Sequence, residues 1–240
     1  MILTERLSFP SLTTLRPCLI VGFFPLVALV LGADSRWFAA TNWGLAGWGG
    51  QAIANVLAAL FFLVLLGGLD FQERLMALIF VPFSALAEYL FSPVWEVYLY
   101  RLEAVPLYVP LGHAILFSTG LMLSKLKKLE DWPPLQSVLL GLLALLFGGA
   151  ILFLHDAFSA LLGGLFALVL NWRGCRLVYP IMAFLVLYIE LLGTGLGCWT
   201  WEAKAFGILP TTNPPLGAFV FYVFGDIAVL KLVRMLGRDR

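Results

Sequence analysis

The chain has 240 residues, of which 62% are hydrophobic and only 12% charged, and its mean hydropathy is +0.97. That balance excludes a soluble globular domain, and a net charge of +1 excludes a nucleic-acid-binding surface as the main role. It predicts an all-α fold, a polytopic membrane helix bundle, because only helices and closed barrels satisfy their own backbone in lipid.

Eight apolar segments follow in chain order, at 17–33, 49–68, 75–92, 106–124, 135–154, 157–171, 177–197 and 215–236. Arg6 and Arg16 precede the first, but no small-residue cleavage site follows, so it reads as a retained span. The sixth is short and parted from the fifth only by His155-Asp156, which alone would admit a re-entrant or tilted segment. Charge favours a full span. With eight spans, one side holds Arg6, Arg16, Arg74, Lys125, Lys127, Lys128, Arg173, Arg176, Lys231, Arg234, Arg238 and Arg240, and the other only Arg36, Arg101 and Lys204. The positive-inside rule then places both termini in the cytoplasm, in what we expect to be a bacterial inner membrane. The three cysteines, Cys18, Cys175 and Cys198, are isolated, with neither disulfide nor zinc spacing. We expect one membrane domain spanning 1–240, with halves 1–128 and 129–240.

Two segments resemble each other. Leu86 to Phe117 and Tyr188 to Asp226 both run from an apolar helix with a Glu (Glu88, Glu190) through Trp-Glu (Trp95-Glu96, Trp201-Glu202) to Pro-Leu-Gly at the next apolar helix. They lie four spans apart, which predicts parallel copies in a four-plus-four arrangement. The first halves of the two copies show no matching sequence.

Polar residues gather on the outer side. Glu88 and Glu190 lie near the outer ends of spans 3 and 7, His113 lies about two turns into span 4, and Asp226 lies near the middle of span 8. Six of the eight tryptophans (Trp37, Trp43, Trp48, Trp95, Trp199, Trp201) share that side with Tyr98 and Tyr100. Ordinary explanations exist for each feature. The tryptophans fit an interfacial belt, although a belt marks both interfaces. His113 fits a helix–helix hydrogen bond, His155-Asp156 a tight polar turn, and Glu96, Glu103, Glu202 and Lys204 solvated loop charges. The intramembrane carboxylates are harder to explain, since such a group costs about 2.5–3.5 kcal/mol at the bilayer centre. An ion pair with Arg101 would account for one of them.

Histidine count, the lack of Asp-rich pairs, of HExxH and of CxxC disfavour di-iron, diphosphate-dependent, zinc and thiol chemistries. A cofactor-free enzyme, a transporter or a binding protein remains, and no metal ligands are expected. Buried carboxyls beside aromatic faces suit protonation of an isolated C=C bond: a desolvated acid keeps a proton to donate, and ring faces stabilise the resulting cation by about 2 kcal/mol or more.

The pattern Glu88…Tyr98-x-Tyr100, then Trp199-x-Trp201…Pro210…Asn213…Gly217 resembles the integral-membrane carotenoid 1,2-hydratases of the bisanhydrobacterioruberin-hydratase type. Where that family has Pro-Phe-Gly before Tyr-x-Tyr, this chain has Val94-Trp95-Glu96. The resemblance covers the two matching segments. It implies hydration of the terminal double bond of an acyclic carotenoid. Taken with the repeat, it leads us to expect Glu88 and Glu190 as the acid–base pair, with Asp226 and His113 tuning or orienting them. Trp95, Tyr98, Tyr100, Trp199 and Trp201 would form an aromatic wall, and Asn213 would bind water or loop backbone. The expected partners are an apolar lipid or polyene substrate and membrane lipids. The rival readings are a small transporter that uses the carboxylates for proton or cation coupling, and a subunit of a larger membrane complex.

Overall fold

The computed structural model describes residues 12–41, 48–174 and 176–236. Arg6, Trp43, Cys175, Arg238 and Arg240 lie outside the described residues, as do the side chains of Trp48, Arg173 and Arg234. In chain order the elements are α1 (Leu12–Ala33), α2 (Arg36–Ala39), α3 (Trp48–Gly68), α4 (Phe71–Tyr89), a π-helical turn (Leu90–Val94), β1 (Tyr98–Tyr100), α5 (Tyr108–Ser124), α6 (Lys127–Glu130), α7 (Pro134–Leu154), α8 (Ala157–Arg173), α9 (Val178–Gly195), β2 (Trp199–Trp201), β3 (Lys204–Ala205), β4 (Leu209–Pro210), a 3-10 turn (Leu216–Ala218) and α10 (Phe219–Leu236).

The chain is an integral membrane protein built as a helical bundle. Among the described residues six helical stretches are long and apolar enough to cross a bilayer: Leu15–Ala39, Gly50–Gly68, Phe71–Val94, Pro134–Leu154, Val178–Gly195 and Leu216–Val233. The expected fourth and sixth segments form shorter apolar helices, Tyr108–Ser124 and Ala157–Trp172. The 17 residues of α5 reach about 25 Å, short of a hydrocarbon core of about 30 Å. α5 is also the most enclosed helix, with an unbroken buried run from Ala114 to Gly120, so its neighbours rather than lipid surround it. α7 is the opposite case. Leu145, Leu152 and Phe153 are all strongly exposed on it, which is the surface a lipid-facing helix presents.

Local chemistry sets the helix ends. Asp70 caps α4 by accepting from the Glu73 N–H at 2.8 Å, and the Asp70 N–H in turn donates to the Glu73 carboxylate at 3.1 Å, a reciprocal capping box. Glu73 also pairs with Arg16 and, at 2.8 Å, with Lys125. Those contacts tie α1, α4 and α5 together at one end of the bundle. At the other end of α4, Pro93 has no N–H to offer, and the Trp95 N–H reaches back five residues to the Leu90 carbonyl at 2.9 Å. α9 ends differently. Gly197 takes the left-handed conformation (φ +70°), Cys198 N–H donates to the Gly193 carbonyl at 2.8 Å, and Gly197 N–H donates to the Thr194 carbonyl at 3.1 Å. This is a Schellman stop, and it releases the chain straight into β2. A Cβ at Gly197 would also stand 2.6 Å from Arg36 Cδ, so only glycine fits.

The segments after α4 and α9, which read in the sequence as polar outer loops, form short ladders instead. β1 and β2 pair antiparallel, with Tyr98 opposite Trp201, Leu99 opposite Thr200 and Tyr100 opposite Trp199. β3 and β4 form a second small ladder. The chain is thus a helical bundle with two short ladders at one end.

Candidate functional site

The β1–β2 ladder carries the site. Side chains alternate across a strand, so Tyr98 and Tyr100 share one face of β1, and Trp199 and Trp201 share one face of β2. All four are buried, whereas Leu99 between the tyrosines is exposed. The four rings pack on each other, with Tyr98 and Trp201 centroids 4.6 Å apart and Tyr100 and Trp199 6.2 Å apart. Their polar atoms converge on two carboxylates. Both tyrosine hydroxyls donate to Glu88 Oε2, Tyr98 at 2.7 Å and Tyr100 by a shorter bond. Both indole N–H groups donate to Glu190 Oε2, each at 2.9 Å. The two strands therefore treat their carboxylates alike: each donates twice, from alternate residues, to the Glu of the helix before it.

The two sites differ in their remaining partner. His113, on α5, places Nε2 2.7 Å from Glu88 Oε1, and its ring stacks on Tyr222 at 4.9 Å with an interplanar angle of 12°. Glu88 thus receives donors on both oxygens. Among the described residues, Glu190 accepts side-chain bonds on Oε2 alone. Burial first, then the Glu88 carboxylate, push the Tyr98 and Tyr100 phenols well above their ordinary pKa, so both stay protonated and remain donors.

These groups line one cavity of about 120 Å³, walled by α1, α3, α4, α5, α9, α10 and the ladder. Glu88, His113, Glu190, Tyr98, Tyr100, Trp199, Trp201 and Tyr222 form its polar wall, and Phe23, Val27, Phe91, Leu116 and Phe221 belong to its apolar wall. An engineered cavity of roughly 150 Å³ admits one benzene. The present volume accordingly fits the end of an apolar molecule, not the whole of a lipid. Among the described residues no three His, Cys, Asp or Glu side chains come together as a metal site.

Several residues singled out in the sequence lie elsewhere. Trp95 does not match Trp201 in place. It is 46% exposed, meets Phe91 edge to face at 5.0 Å and Phe206 at 5.9 Å, and is not part of the cavity wall. The reason is the π-helical turn, which puts Trp95 on the outer surface three residues before β1 begins. Asn213 acts through backbone: its Oδ1 accepts from the Trp201 N–H at 3.1 Å and so fixes β2. Asp226 is buried on α10, a turn beyond Tyr222, and does not line the cavity. Arg101 forms its ion pair with Asp34. Its Nη2 lies 2.6 Å from Asp34 Oδ1 and its Nε donates to the Asp34 carbonyl at 2.8 Å. Asp34 also accepts from the Tyr108 hydroxyl at 2.8 Å. His155-Asp156 is the tight turn: His155 is left-handed (φ 54°), and Asp156 caps α8 through Ser159 N–H at 2.8 Å and accepts from the Thr212 hydroxyl at 2.6 Å.

Two site features escaped sequence reasoning. Tyr222 sits in an unbroken aromatic-apolar run, Phe219 to Phe224, where nothing marks one ring as cavity-facing. Asp34 stands at the end of α1 and reads as an ordinary loop acid, although it is fully buried. Its signal was local: a single acid beside the outer loop, on a side whose basic residues are Arg36, Arg101 and Lys204. Comparison with protein-family models, with curated proteins and with solved structures finds no match for this chain.

Proposed function

We propose that this protein is a membrane enzyme that adds water across, or rearranges, a C=C bond at the end of an isoprenoid or carotenoid-type chain, by acid–base chemistry without a metal. The observation that carries the reading is the pair of buried carboxylates, Glu88 and Glu190, set in one apolar cavity and held by different donor sets.

Hydrogen-bond capacity divides the labour. An ionised carboxylate is an acceptor only. Glu88, with Tyr98, Tyr100 and His113 as donors on both oxygens, is arranged as the anion. Glu190 has an oxygen to spare, and that oxygen carries the proton. In hydration, Glu190 delivers this proton to one alkene carbon. The other carbon becomes a cation that faces Trp and Tyr rings. Water adds to it and loses its proton to Glu88. Passage of that proton back to Glu190 restores the starting state, so the net change is addition of one water.

The architecture in this reading is eight spans in a parallel four-plus-four repeat, with α4–β1–α5 matching α9–β2–α10. It is supported by the mutual pairing of β1 with β2 and by their like bonds to Glu88 and Glu190. In the repeat, Pro-Leu-Gly-His at 110–113 matches Pro-Leu-Gly-Ala at 215–218. Ala218 lines the cavity where His113's counterpart would be. That single difference gives one carboxylate a basic partner and not the other. The positive-inside rule places the cavity end of the bundle away from the cytoplasm. The helix breaks favour an enzyme over a transporter, since the π-helical and 3-10 turns lie at helix ends and not at the bilayer midplane.

The test is conversion of an acyclic carotenoid in a reconstituted host. Glu88→Gln and Glu190→Gln each abolish conversion with the protein still present in the membrane. Unchanged turnover in both variants would sink the proposal.

A further inference from the structure

The wall of the cavity is not equally closed all round. α4 and α5 are joined by Ser84, whose hydroxyl donates to the Pro110 carbonyl at 3.3 Å. α5 and α9 meet so closely that a Cβ on Gly120 would stand 2.2 Å from Met182 Sδ. α4 and α10 are sealed by Phe91 on Phe221, with centroids 4.6 Å apart, and by Gly225 lying against Phe80 and Phe83.

The seam between α1 and α9 is built differently. Among the described residues its hydrogen bonds fall at two levels. At the rim, Arg36 N–H donates to the Leu196 carbonyl at 3.0 Å, and the Cys198 thiol donates to the Leu31 carbonyl at 3.3 Å. Deeper, the Tyr188 hydroxyl donates to the Phe24 carbonyl at 2.9 Å, and the two rings meet edge to face at 5.5 Å. Between these ties α9 runs from Tyr188 to Leu196 and α1 from Phe24 to Leu31, a height of about 10–12 Å at 1.5 Å per residue. Leu26 and Ile189 fill the interval. Both line the cavity, and both are only half-buried, so they face the site on one side and lipid on the other. Phe24 is followed by Pro25, which removes a backbone donor from α1 at this level and lets the helix bend there.

We propose that the substrate is a single linear apolar chain that enters sideways from the lipid between α1 and α9. Its reacting end reaches Glu88 and Glu190, and its tail passes out between Leu26 and Ile189. The Tyr188–Phe24 contact is the lower sill of that window. The inference rests on the reading of the cavity as a site for an apolar chain, and it explains why a cavity of about 120 Å³ suffices: only the end of the molecule has to fit.

The experiment uses the full chain in detergent with Cys18→Ser and Cys175→Ser, leaving the buried Cys198 in place, and adds Leu26→Cys with Ile189→Cys. A short reducible bis-thiol reagent bridges the window. Uptake of a linear conjugated polyene is read by energy transfer from the protein's tryptophans. Before bridging, the polyene gives transfer. After bridging, transfer falls to the background given by an unrelated tryptophan-containing membrane protein in the same micelles, and reduction restores it in the same sample. Equal uptake by bridged and reduced protein overturns the entry seam and leaves the reading of the cavity standing. Absence of transfer in the unbridged protein and in the unmodified chain overturns that reading, and the entry with it.

Discussion

At the residue scale the decisive feature is which donors meet each carboxylate. Glu190 takes two indole N–H groups on one oxygen. An indole can only donate, so both depend on that acceptor. Glu190→Gln keeps an oxygen in place and should cost at most about 1 kcal/mol of stability while removing activity. Glu190→Leu leaves two buried donors unpaired and should cost about 1–3 kcal/mol for each of them. Thermal unfolding of the detergent-solubilised variants checks this, and equal stability of the two would contradict the bonding described. The sequence marked both glutamates because charge inside an apolar run is costly. Asp226 attracted attention for the same reason and lies outside the cavity wall. Hydropathy reports that a carboxylate is buried, not what it faces.

At the scale of elements, the end of α9 sets the site. Trp199 folds back over Gly193, where a Cβ would stand 2.0 Å from the indole ring. Gly193→Ala should therefore displace Trp199 from Glu190, costing about 1–3 kcal/mol by overpacking and lowering turnover. Gly120→Ala meets an almost equal clash, 2.2 Å, but with Met182 Sδ. A thioether can swing aside, so that variant should be the milder in both unfolding temperature and activity. A larger loss for Gly120→Ala would count against the rigid-ring explanation. Hydropathy located the apolar helices within a few residues, because a run of apolar side chains is a local property. It did not disclose β1 and β2. Strands of three residues have no period to detect, and their stability comes from a partner about a hundred residues away.

At the scale of the whole molecule, Asp34 and Arg101 bind the end of α1 to the segment between β1 and α5, with Tyr108 as a third member. Removing one partner leaves a buried charge, so Asp34→Ala should cost about 3–5 kcal/mol. Adding Arg101→Leu should recover part of that loss, and a double-mutant cycle on unfolding measures the coupling; strictly additive effects would deny the tie. The orientation is testable with single cysteines on a background with Cys18 and Cys175 replaced. A membrane-impermeant maleimide added to intact cells should label Lys204→Cys and spare Lys128→Cys. Cys198 stays silent because burial pushes its thiol up to about 12. Composition and the length of the apolar runs determined that this chain lives in a membrane as packed helices, since lipid admits only helices and closed barrels, and continuous apolar runs near twenty residues are helical. The sequence also singled out Glu88, Glu190 and His113, because polar groups inside apolar runs are costly in lipid, and the paired tyrosines and tryptophans, through their crowding on one side and the family resemblance. Only the tertiary structure decided that they share one cavity, that His113 serves Glu88 and not Glu190, and that Arg101 belongs to Asp34. Those pairings join residues far apart in the chain, and a hydrogen bond is specified by where two groups meet in space, which no local run of side chains encodes.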